Sequence, residues 1–188
     1  MVPSLAPIAQ SVEQLPFKEW VLGSNPSGRT MAYIYETNNF IVESHEEPFL
    51  PRTDGGHIRI KIKDESITDR TKLDAKTAVE LMRLTMVVGE AFEIAMNNRG
   101  IPVIKINYQD MGNWAYKIGK KPFLHIHIFG RSKDALKQPW PESVYLPDRG
   151  TGFYKDFEPL DKGDIAEIQK QIDTIFLKEK YSELSWNL

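Results

Sequence analysis

Imidazole is the most versatile reactive group in this sequence, which contains four histidines and no cysteine. Without a thiol the chain cannot form a disulfide, use a thiolate nucleophile or bind zinc or an iron–sulfur cluster through cysteine. His125 and His127 stand two residues apart in the alternating run Phe123 to Phe129, so on a strand both project from one face. Near neutral pH an imidazole can act as nucleophile, general base or metal ligand. If His57 lies beside this pair, two chemistries open. One is attack by a histidine nucleophile. The other is hydrolysis at a zinc site held by His57, His125 and His127. A protein that binds its ligand without turning it over is a third reading.

Charge narrows the ligand. The chain carries a net charge of −2, yet residues 101–138 hold seven basic side chains against two acidic ones. A local basic region in a slightly acidic protein points to a small anionic ligand, not to a long nucleic acid. There is no Walker-type phosphate loop and no G-x-S-x-G elbow. Nor does any window approach the ~20 apolar residues that span a bilayer. Residues 1–12 lack the basic start of a secretory signal, so a cytoplasmic protein with no membrane partner is expected.

The elements that must position these groups follow from periodicity. At 188 residues, 41% hydrophobic and 27% charged, the chain has the balance of one globular domain. Residues 1–30, with several prolines and no period, read as an N-terminal arm. Met31–Tyr35 and Phe40–Glu43 flank Thr37-Asn38-Asn39 as a hairpin. His57–Lys63 is a strand, with Ile58, Ile60 and Ile62 opposed to His57, Arg59, Lys61 and Lys63. A long helix follows from about Thr71, where Thr71 and Asp74 suggest a capping box, and stops at Asn97-Asn98-Arg99-Gly100 before Pro102. In the next strand Val103, Lys105, Asn107 and Gln109 share one face. Residues 110–122 read as a loop and 132–157 as irregular. Asp161 to about Lys180 forms a second helix, with Ile165, Ile168, Ile172, Ile175 and Phe176 at helical spacing. If the strands share one sheet with the long helix over the isoleucines, the other face displays His57, Arg59, Lys105, Asn107, His125 and His127.

The run Phe123-Leu-His-Ile-His-Ile-Phe-Gly-Arg131 resembles the signature of the histidine triad superfamily of nucleotide hydrolases and transferases. That signature alternates three histidines with apolar residues. Here its middle and third histidines fall on His125 and His127, and its first falls on Phe123. Ile34–Glu43, Gly56–Lys61, Thr71–Gly100 and Ile106-Asn107 are similar to further parts of the family pattern, over about residues 31–131. Residues 1–30 and the extension 132–188 lie outside it; the extension is expected to pack on the same domain.

The resemblance implies an α+β fold with an antiparallel sheet of about five strands, a long helix on one face and a second, C-terminal helix. It implies a homodimer that binds a nucleotide and cleaves it at the α-phosphate, with no metal or organic cofactor. His125 would attack phosphorus, His127 and Asn107 would hold phosphate oxygens, and His57 would support the cluster. Phe40, Phe123, Lys120 and Lys121 would border the nucleotide. Two departures stand out. Phe123 replaces a histidine, so only its backbone carbonyl remains to orient the nucleophile. Gly119-Lys120-Lys121-Pro122 stands where the family has Gly-Gln-Ser or Gly-Gln-Thr. His45, with Glu46 and Glu47, falls near the family's acidic ribose contact but reads more simply as a charged loop. Trp114, Tyr116 and Trp140 are candidates to stack on a base or to be buried.

Overall fold

The computed structural model describes residues 32–188. The expected N-terminal arm and Met31 lie outside them. Five strands, β1 (Tyr33–Glu36), β2 (Phe40–Ser44), β3 (His57–Ile62), β4 (Val103–Asp110) and β5 (His125–Ser132), form one antiparallel sheet in the order β1-β2-β3-β5-β4. α1 (Ala75–Asn98), α2 (Lys162–Phe176) and the short α3 (Glu183–Trp186) complete the α+β architecture.

Period two decides which face is buried. Ile58, Ile60 and Ile62 are all 2% exposed or less, and Ile60 and Ile58 pair across β5 with Ile126 and Ile128. Leu84, Val88, Phe92 and Ala95 of α1 and Ile168, Ile172 and Ile175 of α2 join the isoleucines in one core. Removing that apolar area from water is the main force holding helices to sheet.

The ends of α1 differ in part from expectation. Asp74 alone is the N-cap, accepting from the Thr77 N–H at 3.0 Å, while Thr71 belongs to a preceding turn in which Asp69 accepts from its N–H. At the far end Gly100 takes a φ of 81°, open to glycine at little cost, and the Ile101 N–H closes back on Met96. α2 starts in a capping box between Asp161 and Asp164. The buried Asp164 carboxylate also accepts from Arg52 at 2.5 Å and Arg99 at 3.1 Å, tying α2 to the loop before β3 and to the end of α1. One face assignment in β4 is corrected. The pairing register shifts between Val103 and Lys105, which turns Val103 into the helix-side core and leaves Ile104 exposed.

The second face of the sheet is half covered. Phe49, Leu50, Phe129, Tyr154 and Phe157 form a separate apolar cluster there, joining the loop before β3, β5 and the segment after β5. That segment has little regular structure but is closely tied down. Asp54 accepts from the Leu136, Lys137 and Gln138 N–H groups, and the Gln138 amide bridges the carbonyls of Phe49 and Tyr145. The loop before β3 meets β5 at two glycines. A Cβ on Gly130 would fall 2.4 Å from the Gly55 oxygen, so neither chain tolerates a side chain at that crossing. The histidines lie on this face beside that cluster, with His57 and His127 buried against Phe49.

Candidate active site

β3 and β5 are neighbours, and their ladder sets Arg59 opposite His127, His57 opposite Phe129 and Lys61 opposite His125. Residues directly opposite in an antiparallel pair share a face, so His57, His125 and His127 converge. Ring centroids are 4.8 Å apart for His125 and His127 and 5.0 Å for His57 and His127. His45, which follows β2, brings in the fourth imidazole. Its N–H bonds to the His57 carbonyl and its ring stacks on that of His57 at 4.5 Å. All four histidines of the chain therefore form one cluster, and His45 is the member that the sequence reading placed in a charged loop.

Hydrogen bonding fixes which nitrogen of each ring bears a proton. A carbonyl oxygen can only accept, so the 2.8 Å contact between His125 Nδ1 and the Phe123 oxygen requires Nδ1–H. In neutral His125 the lone pair is then on Nε2. The Phe49 N–H donates to His57 Nδ1 at 3.2 Å, so neutral His57 carries its proton on Nε2. That proton lies in the 2.8 Å contact with His127 Nδ1, which leaves His127 with a donating Nε2–H. A single backbone N–H thus sets two tautomers in series. The cluster presents a nucleophilic nitrogen on His125 and a hydrogen-bond donor on His127.

Burial keeps these rings neutral. It is the first cause lowering the pKa of every one of them, since desolvation disfavours the imidazolium. The nearby guanidinium groups and the competition among neighbouring imidazoles for protons add to it. Arg59, Arg149 and His125 help to push His45 down to about 3; His125, His45, Arg59 and Arg149 help to push His127 to about 2. His57, 1% exposed, is held well below the usual imidazole range. His125 is lowered by burial, with the Phe123 carbonyl opposing the shift.

His45, His125 and His127 open on a cleft of about 630 Å³, a volume suited to a small-molecule ligand. Lys120, Lys121 and Phe123 also line it, and the Phe123 ring lies 5.0 Å from that of His125. Arg59 lines it too, paired with the buried Glu43, which also takes Lys61 at 3.3 Å. Trp114 borders the cleft edge-on to Phe49, whereas Tyr116 is 70% exposed and Trp140 packs under Arg131.

Two expected contacts are corrected. Phe40 is fully buried in the helix-side core, because its ladder partner is Ile62; it does not border the cleft. Asn107 is opposite Phe129, in the cross-strand row of His57 and not that of His127, accepts from Arg131 at 3.2 Å and does not line the cleft. The β4 residue opposite His127 is Gln109, whose Oε1 is buried without a hydrogen-bond partner. The zinc reading does not fit this geometry either. Both ring nitrogens of His57 and Nδ1 of His125 and of His127 are engaged in hydrogen bonds. Among the described residues, no group of three or more histidine and acidic side chains is arranged to hold a metal ion.

No protein-family model and no curated protein matches the chain. Solved structures do match its fold. The histidine triad protein of Bradyrhizobium japonicum is similar with a TM-score of 0.53 and 18% identity, over 81% of this chain and 98% of that one. A histidine triad protein of Marinobacter aquaeolei VT8 gives 0.52 and 14% identity, over 77% and 88%. One from Sinorhizobium meliloti 1021 gives 0.51 and 16%, also over 77% and 88%. The chain has the histidine triad fold. No helix among the described residues is long and apolar enough to cross a membrane.

Proposed function

We propose that this protein binds a nucleotide and cleaves it at the α-phosphate through a covalent nucleotidyl-histidine on His125. The observation that carries this reading is the hydrogen bond from His125 Nδ1 to the Phe123 carbonyl, which leaves the Nε2 lone pair on a ring lining the cleft. In the first step that lone pair attacks the α-phosphorus. The bond from phosphorus to the leaving group breaks, and the leaving group departs with the electron pair. In the second step water attacks the same phosphorus, the N–P bond breaks, its pair returns to Nε2, and the water proton is lost to solvent. Two displacements replace one difficult hydrolysis.

Charge develops on the phosphoryl oxygens as each displacement proceeds, and preoriented donors stabilise it. His127 Nε2–H is such a donor, held in its tautomer by His57 and the Phe49 N–H. Lys120 and Lys121 add positive charge at the cleft wall. Gln109, opposite His127, would take over the phosphate-holding role that the resemblance gave to Asn107. No step in this route uses a metal or an organic cofactor.

We also assign the protein to a homodimer. β4 is an edge strand on which Ile104 and Tyr108 are 47% and 48% exposed, and Tyr108 shares a surface groove with the 53% exposed Met82 of α1.

The test is acid-quenched mass spectrometry of protein mixed with dinucleoside polyphosphate, nucleoside phosphoramidate, aminoacyl adenylate or nucleotide sugar. A nucleotidyl adduct mapped to His125, absent from His125→Asn, is expected. An adduct on His127, or full turnover by His125→Asn, overturns the assignment. Tight binding with neither adduct nor turnover would return the protein to the binding-only reading.

A further inference from the structure

The wall of the cleft facing the C-terminal segment belongs to no part of the triad signature. Leu146 and Arg149 line it. Arg149 is anchored in a way that presents its charge to the cleft. Its Nη2 donates to the Glu47 carbonyl at 2.7 Å, Nη1 is 3.4 Å from the Glu47 carboxylate, and the guanidinium sits 4.5 Å from the centre of the Phe49 ring. The adjacent Asp148 pairs with Lys117 at 2.5 Å, and Lys117 in turn lies over Trp114. These contacts fasten the segment to the 113–118 turn at the rim, so Arg149 is held in place instead of waving in solvent. Its side chain keeps 33% exposure. The positive charge of Arg149 acts on His45, His57 and His127 alike, so it lies within electrostatic reach of the histidine cluster.

Lys120 and Lys121 also line this cleft, and neither side chain forms an ion pair among the described residues. The carboxylates lining the cleft are Glu47, already beside Arg149, and Glu65. A single α-phosphate attacked by His125 needs only the donor on His127 and one nearby cation. Two lysines, with Arg149 partly balanced by Glu47, provide more positive charge than that. The Phe49 face is covered by the guanidinium, which argues against a base stacking there. A planar fork with free N–H groups suits phosphate oxygens.

We propose that Arg149 is a substrate-binding residue which, with Lys120 and Lys121, holds the phosphate groups beyond the α-phosphorus. The preferred substrate then carries a phosphorylated leaving group, not an amine or an aminoacyl group. This rests on the proposed nucleotidyl transfer to His125 for the identity of the α-phosphate, but the anion site is testable without it.

The first experiment measures binding of tripolyphosphate by calorimetry to wild-type protein, Arg149→Met and Arg149→Lys. Methionine keeps apolar packing on Phe49 and removes the charge. Wild type should bind, Arg149→Met should bind about tenfold or more weakly, and Arg149→Lys should recover part of the loss. Lys120→Ala with Lys121→Ala carries the same expectation from a different segment and covers the case in which Arg149→Met fails to fold. No tripolyphosphate binding by wild type, or equal binding by both charge-removing variants, overturns the proposal. The second experiment compares kcat/KM for a dinucleoside polyphosphate and a nucleoside phosphoramidate with the same base. The ratio of the two should fall about tenfold or more in Arg149→Met; an unchanged ratio means that Arg149 is structural. If wild type turns over neither compound, the nucleotidyl-transfer reading fails, while the tripolyphosphate result still decides the anion site.

Discussion

Acidification should destabilise this fold well above the range in which its carboxylates titrate. The perturbation is a drop from pH 7.5 to 5.5. His57 and His127 are 1% and 4% exposed, and both are neutral in the folded protein because burial pulls their pKa far below 6.5. In the unfolded chain they return to about 6.5. A depressed folded pKa means that the unfolded state binds more protons as pH falls. The stabilisation is complete above the unfolded value and is lost progressively below it, down to the folded value. One pH unit below 6.5, each ring that stays neutral has lost about 1.4 kcal/mol of its contribution. Two rings give about 3 kcal/mol at pH 5.5, a large share of the roughly 5–15 kcal/mol that holds a domain together. His45, pushed to about 3, adds in the same direction. The buried Asp164 does not compete in this window. Burial alone would raise its pKa, but the bonds from Arg52 and Arg99 outweigh that and hold it below the ordinary carboxylate range.

Urea unfolding at the two pH values measures the effect. With a slope of about 2 kcal/mol per molar urea, the midpoint should fall by roughly 1–2 M. His57→Gln removes one titrating ring, and its pH dependence should be shallower by about one proton. A stability that changes by less than about 0.5 kcal/mol over the interval would refute the reasoning, as would a His57→Gln slope equal to wild type.

Three further outcomes are expected. Phe123→Ala should retain nucleotide binding within about tenfold and Phe123→His should stay active, because the side chain lines the cleft while the carbonyl orients His125; a stability loss of about 3–5 kcal/mol in Phe123→Ala would instead place the ring in the core. Gln109→Ala should lower kcat/KM about tenfold, whereas Asn107→Ala should cost about 1 kcal/mol of stability and leave kcat within about twofold; the reverse pattern in steady-state assays would show that the β4–β5 register has been misread. Sedimentation equilibrium at micromolar concentration should give twice the 21.6 kDa chain mass, and charged substitutions at Ile104 and Met82 should return the monomer; a wild-type monomer would remove the dimer from the model of function.

The sequence made the sheet's two faces legible and left the site's cross-strand details hidden, for a physical reason. Alternation within one strand reports the face of a side chain, so Ile58, Ile60 and Ile62 could be opposed to His57, Arg59 and the His125–His127 pair. It does not report which residue of the neighbouring strand lies opposite. Asn107 and Gln109 share a face, and only the pairing register sets Gln109 against His127. Phe40 illustrates the same limit. Its hairpin was readable, but its pairing with Ile62, which commits it to the core, was not. His45 and Arg149 lie in segments without any period. The one available signal for His45 was its position just after a strand that precedes a histidine-bearing strand, and this is weak. Arg149 sits in the irregular segment after β5, which Asp54, Gln138 and Arg131 pin at its start and the Glu47 and Asp148–Lys117 contacts hold at the cleft.

The replacement at position 123 shows why counting histidines understates this site. A triad signature counts side chains, yet the group that fixes the His125 tautomer is the main-chain carbonyl of residue 123. Every amino acid supplies that carbonyl. Its direction depends on the entry into β5, which is set by backbone bonds of Leu124 to Ile62 and Ile67, not by the side chain at 123. The tautomer of His127 is likewise traced to a backbone N–H, that of Phe49, relayed through His57. The side chain at 123 is therefore free to do something else. An aromatic ring 5.0 Å from His125 adds to its burial, and burial is the leading cause of its lowered pKa. A neutral imidazole keeps its lone pair at lower pH. On this argument phenylalanine exchanges one polar contact for a drier nucleophile. The acid limb of the pH–rate profile should then lie below the ordinary imidazole range in wild type and move up in Phe123→Ala, where water reaches the ring. An acid limb at the same pH in both proteins would show that the aromatic side chain has no part in keeping His125 neutral.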